Sequence, residues 1–129
     1  MKDYPINIFY SEDDGVRADA SLAGMAKLKP FFDKKYGNIT AANSSQITDG
    51  AAAVILMTAK RAGELGLRPR ARIVDQCLVG VDPVLMLTGP IDATTRLFER
   101  TGLTMADMDT VEINEAFASV VLAWAAEHR

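Results

Sequence analysis

Apolar and polar positions change rhythm several times along this chain. Ala51 to Thr58 is a continuous apolar run containing Val54 and Ile55, short enough to be a strand buried on both faces. Ala59 to Leu65 has helical character and stops at Gly66, with Pro69 just beyond. Ala71 to Val79 reads as a second strand, closed by Gly80 and Asp82-Pro83. Asp92 to Arg100 places Ala93, Leu97 and Phe98 at helical spacing and ends at Gly102. Thr104 and Asp107 have the separation of a helix-start box for one short turn. Thr110 to Ile113 predicts a third strand, and Phe117, Val120, Val121 and Trp124 give the last helix an apolar face.

Helices that separate short strands imply βαβ crossovers, so the expected class is α/β, βαβαβα with a mostly parallel sheet. Three strands make a thin sheet, and at least one edge should seek a partner. Upstream the character differs. Residues 1 to 15 look extended: Tyr4-Pro5 restricts the backbone and Glu12-Asp13-Asp14-Gly15 is an acidic turn. A short helix follows, with Asp19 or Ser21 as N-cap and Leu22, Met25 and Leu28 on one face; Pro30 limits its end. Lys34-Lys35-Tyr36-Gly37 is a polar bridge, which sets an expected division into 1–37 and 38–129. No repeat or low-complexity tract is present.

Composition narrows the class. The chain has 129 residues, 49% hydrophobic and 24% charged, which fits one globular domain rather than a disordered chain. A net charge of −3 argues against a nucleic-acid or anionic-membrane surface. The single cysteine, Cys77, excludes an intrachain disulfide and makes a reducing cytoplasm the expected compartment. The first residues hold no apolar signal core, and Ala51 to Met57 is far too short to cross a bilayer.

The usual catalytic constellations are missing. His128, the only histidine, is expected to be a solvated tail residue. Cys77 lies mid-strand and reads as core rather than nucleophile. One histidine and one cysteine cannot build a zinc site, and the carboxylates show no ligand spacing, so no metal is expected. Two stretches stand out instead. Asn114-Glu115 opens an apolar segment where a strand should turn into a helix, so the Asn114 amide either donates into a cleft at the strand ends or N-caps the helix. Thr40 to Gly50 is small and polar, and Asn43, Ser44 and Ser45 offer hydrogen-bonding groups near an accessible backbone. The same residues could instead satisfy a local turn.

These stretches carry a family resemblance. Thr40 to Gly50 followed by Ala51-Ala52-Ala53-Val54 resembles the thiolase segment that opens the C-terminal half of that enzyme. Gly80-Val81-Asp82-Pro83, Thr88-Gly89-Pro90-Ile91, Gly102-Leu103-Thr104 and Glu112-Ile113-Asn114-Glu115-Ala116-Phe117-Ala118 follow in the family's order. Val16-Arg17-Ala18-Asp19 and Met25 to Phe32 are similar to the end of its CoA-binding loop domain. The resemblance implies that 1–37 is a loop-domain remnant and 38–129 a partial thiolase C-terminal domain.

Thiolases interconvert two acyl-CoA molecules with a 3-ketoacyl-CoA and CoA. By the resemblance, the nucleophilic cysteine would precede this stretch, and the Gly-His-Pro histidine and the Cys-Gly-Gly cysteine would follow it. Cys77 and His128 match none of them. Asn114 would hold the oxyanion-hole water, worth a few kcal/mol in a complete site. Ser45 would contact the pantetheine arm with Ala41 beside it. Met86, Ala116 and Phe117 would line the acyl and pantetheine tunnel, and Arg17 would lie by the adenine. Ala42 stands where the family usually has glycine. The implied ligand is CoA or acyl-CoA, bound weakly if at all, with CoA thioesters as substrates and no cofactor. Two readings stand: a thiolase fragment, inactive alone, or a non-catalytic acyl-CoA-binding or subunit-pairing module. The uncovered faces expected on the helix at 93–100 and at Val121 and Trp124 predict self-association or a homo-oligomer.

Overall fold

The computed structural model describes residues 15–128. Among these residues four α-helices are set by local chemistry. The first, α1 (Leu22–Met25), is capped by Ser21, whose hydroxyl accepts from Gly24 N at 3.1 Å. Thr58 caps α2 (Ala59–Glu64) by accepting from Arg61 N at 3.2 Å. Gly66 then leaves the helix at φ +65°, a left-handed conformation costly for any residue with a Cβ. Pro90 sits in the first turn of α3 (Gly89–Thr101), where its missing N–H is no loss. Gly102 ends α3 at φ +72° and donates its amide to Phe98 O at 2.9 Å. The short 3₁₀ turn Met105–Asp107 is closed by the Asp107 carboxylate, which accepts from both the amide and the hydroxyl of Thr104 at 2.8 Å. The last helix is α4 (Ala118–Glu127).

The core lies between α3 and α4. On α4, Val120 and Trp124 are buried and Val121, Ala125 and His128 half-buried, which is one helical stripe. On α3, Ala93, Thr94, Leu97, Phe98 and Thr101 form the matching half-buried stripe. The Trp124 indole N–H donates to Thr94 Oγ1 at 2.8 Å. Trp124 is only 8% exposed, so the expectation that it stands uncovered is corrected: the two stripes cover each other. His128 is corrected too. It is half-buried, with its ring 5.4 Å from Trp124 and 6.4 Å from Phe98, and its Nε2 lies 3.2 Å from Ile91 O.

No sheet forms among the described residues. Their one strand-type pairing is an isolated antiparallel bridge between Ser44 and Phe117. The runs expected as strands at 51–58, 71–79 and 110–113 carry no ladder. Val54, Ile55 and Leu56 are 80%, 84% and 69% exposed. A strand is stabilised by neighbours on its edges and faces, and these runs lack them here. Among the described residues only Ala62, Val120 and Trp124 are buried hydrophobic residues. No helix among the described residues is long and apolar enough to cross a membrane.

Candidate functional site

The two informative stretches meet. Ser45 N donates to Ala116 O at 2.9 Å and Ala118 N donates to Asn43 O at 3.0 Å, on either side of the Ser44–Phe117 bridge. Residues 43–45 therefore lie along residues 116–118, and Ser45, Ala116 and Phe117 share one short antiparallel contact.

Local hydrogen bonds fix the loop side of that contact. Thr40 N donates to Asn43 Oδ1 at 2.8 Å, and Asn43 Nδ2 donates to Asn38 O at 2.8 Å. Ser44 Oγ donates to Thr40 O at 2.7 Å. Asn43 and Ser44 thus satisfy the turn itself, as Asx and Ser turns do. Ser45 differs: its hydroxyl is exposed and makes one long contact, 3.4 Å to Gln46 O. Ala41 and Ala42 form the turn, and Ala42 N donates to Thr40 Oγ1 at 3.2 Å.

Asn114 is exposed and lies ahead of α4, whose N-cap is Phe117 in extended conformation. The reading of Asn114 as the N-cap is therefore corrected. Three residues of non-helical chain separate it from the helix because 116–118 is held by the loop at 43–45. Asn114 instead borders an open hollow of about 250 Å³, together with Pro90, Ala93, Thr94 and Leu97 of α3, Val111 to Ile113, and Trp124. Enclosed ligand pockets run to roughly 300–1,000 Å³, so this hollow alone is too small and open to enclose a CoA thioester.

The other candidates lie further out. Gly15 abuts the side chain of Gln46, leaving no room for a Cβ. Arg17 is exposed, and its carbonyl accepts from Ala20 N at 3.1 Å. Met86 belongs to a separate turn and does not line the hollow. In that turn the Asp82 carboxylate accepts from Val84 N at 2.7 Å and Leu85 N at 2.8 Å. Those two bonds, Leu85 first, hold the Asp82 carboxyl below its ordinary value. Met86 and Leu87 follow at φ +53° and +59°. Cys77 is half-buried with Sγ 3.6 Å from Ala93 O, in accord with a packing role. Among the described residues no group of histidine, cysteine and carboxylates could hold a metal. Sequence reasoning missed Thr94 as a lining residue; its one signal is the α3 periodicity it shares with Leu97 and Thr101.

Comparison with known proteins identifies the family. The family description "Thiolase, N-terminal domain" matches residues 2–60 and "Thiolase, C-terminal domain" matches residues 67–128. A 3-ketoacyl-CoA thiolase of Stutzerimonas stutzeri is 48% identical over 113 residues, 88% of this chain and 29% of that protein. The crystal structure of the Bacillus anthracis acetyl-CoA acetyltransferase superposes with a TM-score of 0.86 at 41% identity, covering 98% of this chain and 32% of the other. Human mitochondrial 3-ketoacyl-CoA thiolase in complex with CoA gives 0.84 at 39% identity over 90% of this chain and 29% of its own. Two ordered domain matches with a superposable fold define a thiolase-type chain. The protein belongs to the thiolase family, and it spans less than a third of the length of these relatives.

Proposed function

We propose that this chain supplies part of the acyl-CoA site of a thiolase, an acyl-CoA C-acyltransferase working by thiolytic cleavage or Claisen condensation, and that it does not turn over substrate alone. One observation carries the reading: the antiparallel contact of 43–45 with 116–118. It brings the backbone of Ser45 alongside Ala116 and Phe117, with Ala41 in the adjoining turn. In this reading Ser45 and Ala41 meet the pantetheine arm, and Met86, Ala116 and Phe117 line the acyl tunnel. Arg17 approaches the adenine end. Asn114 holds a water that donates to the thioester oxygen as negative charge develops there. Such a donor acts strongly only where bulk water is excluded, and the open hollow beside Asn114 leaves that to further segments.

The mostly parallel sheet belongs to the same proposal, forming when the runs at 51–58, 71–79 and 110–113 gain neighbours. So do the division at residues 37 and 38, a cytoplasmic location, and self-association, for which the exposed apolar run at Val54, Ile55 and Leu56 offers surface. CoA thioesters are the substrates, without cofactor, nucleic acid or membrane. The test is a calorimetric titration of the chain with CoA, repeated on Ser45→Ala. Saturable binding weakened roughly 2- to 10-fold by the substitution is expected, the worth of one neutral hydrogen bond. No heat up to millimolar CoA, or identical binding by the variant, rejects the CoA assignment.

A further inference from the structure

Gln46 makes a contact that its place beside Ser45 does not explain. A Cβ on Gly15 would collide with the end of the Gln46 side chain: Nε2 is nearest, with Cδ at 2.8 Å and Oε1 at 2.9 Å. The carboxamide therefore lies against the Gly15 main chain, and a larger residue there would displace it. Gly15 is half-buried while Val16 to Ala20 are exposed, which fits a side chain lying over it. Ile47, the next residue after Gln46, is fully exposed, so no apolar core anchors this stretch where Gln46 reaches across.

The contact lies between two ends of the proposed CoA site. Ser45 is fixed on one side, its amide donating to Ala116 O at 2.9 Å next to the Ser44–Phe117 bridge. Its Cα is about 3.8 Å from that of Gln46 by covalent geometry. The Ser45 hydroxyl makes its long contact with Gln46 O, so the Gln46 side chain does not consume it. On the other side, Arg17 follows Gly15 by two residues, and two residues of chain span at most roughly 7 Å. The Arg17 main chain is held in a turn, where its carbonyl accepts from Ala20 N at 3.1 Å. With Gln46 seated on Gly15, covalent geometry bounds the separation of the two main chains at Ser45 and Arg17.

We propose that Gln46 is a positioning residue: its carboxamide, seated on Gly15, sets the span between Ser45 and Arg17 for a ligand that needs both at once. The inference rests on the reading above, in which Ser45 meets the pantetheine arm and Arg17 approaches the adenine. A ligand that bridges two segments loses affinity to whatever ordering they still require when it binds. Where the span is set beforehand, engagement of the second end is an intramolecular event at high effective concentration. Gln46 itself touches no ligand. Loosening it lowers affinity for CoA, which reaches both ends, and leaves a ligand without the adenosine indifferent. Glycine at position 15 is the other half of the arrangement, since alanine there pushes the carboxamide away.

The test titrates the whole chain calorimetrically with CoA and, separately, with phosphopantetheine, which lacks the adenosine. Gln46→Ala and Gly15→Ala should each weaken CoA binding roughly 2- to 12-fold, the cost of ordering one side chain. Phosphopantetheine binding should be unchanged in both, which also shows that the variants stay folded. The double variant should lose no more than either single one, because both act through one contact. Ser45→Ala, by contrast, should weaken both ligands alike. Equal losses for the two ligands in Gln46→Ala, no loss for CoA, or additive losses in the double variant overturn the positioning role and leave the CoA assignment standing. A chain that binds neither ligand overturns the functional reading, and the positioning role with it.

Discussion

The Thr94→Val substitution probes the contact on which the α3–α4 unit depends. Trp124 is 8% exposed and its indole N–H has Thr94 Oγ1 as acceptor at 2.8 Å. Thr94 donates its own hydrogen to Pro90 O at 2.8 Å, which leaves its oxygen lone pairs available to the indole. Valine keeps the shape but offers no acceptor, so a nearly buried N–H loses its partner. Such an orphan costs about 1–3 kcal/mol, or about 5- to 150-fold in the folding equilibrium. Threonine and valine have similar helix propensity, so the backbone contributes little. Trp124 is the only tryptophan, and its fluorescence during urea unfolding reads this interface directly. Thr94→Ser, which restores the oxygen, should stay close to the parent. A Thr94→Val midpoint equal to the parent's, or an equal loss in Thr94→Ser, would refute the reasoning.

Three further outcomes are expected. Gly102→Ala should cost about 1–2 kcal/mol in thermal melts, because the position lies at φ +72° with nothing within 4 Å, making the penalty purely one of backbone conformation; a neutral result sinks that cause. Leu87→Gly should stabilise the chain by up to about 1 kcal/mol, since relief at φ +59° outweighs the added freedom of the unfolded glycine; a lower melting temperature contradicts it. The Thr104 hydroxyl and then its amide hold the Asp107 carboxyl below its ordinary 3.8. That contribution to stability is present above the unfolded value and lost as pH falls through the lowered folded one. Carboxyl-carbon NMR should show Asp107 titrating below 3.8 and moving up in Thr104→Ala; a curve at or above that value rules the contact out.

Local signals were legible because their causes are local. The start at Ala59 and the stop at Gly66 bounded α2, Gly102 ended α3, and Thr104 with Asp107 closed the 3₁₀ turn as their spacing predicted. Failures came where distant residues decide. α3 starts at Gly89 rather than Asp92, since proline fits a first turn and needed no separate stop. α4 starts at Ala118 because Phe117 bridges to Ser44, and Phe117 carries no capping acceptor that would mark the start in the sequence. His128 looked like a tail residue, and its contacts with Ile91 and Phe98 cross from one helix to another. The apolar runs at 51–58 and 71–79 were visible as patterns, but a pattern cannot supply the neighbouring strand. For the site, the residue types of Ser45, Ala116 and Phe117 were legible, whereas their contact depends on a pairing between segments far apart in sequence.

Thiolytic turnover of a 3-ketoacyl-CoA by this chain combined with flanking thiolase pieces, measured for the parent and for Asn114→Ala, tests the central claim most directly. No turnover by the chain alone is expected, turnover in the assembly, and a loss on the order of 10²-fold in kcat with Asn114→Ala, the worth of one oxyanion donor. Turnover by the isolated chain, or an assembly whose rate is indifferent to Asn114, contradicts it.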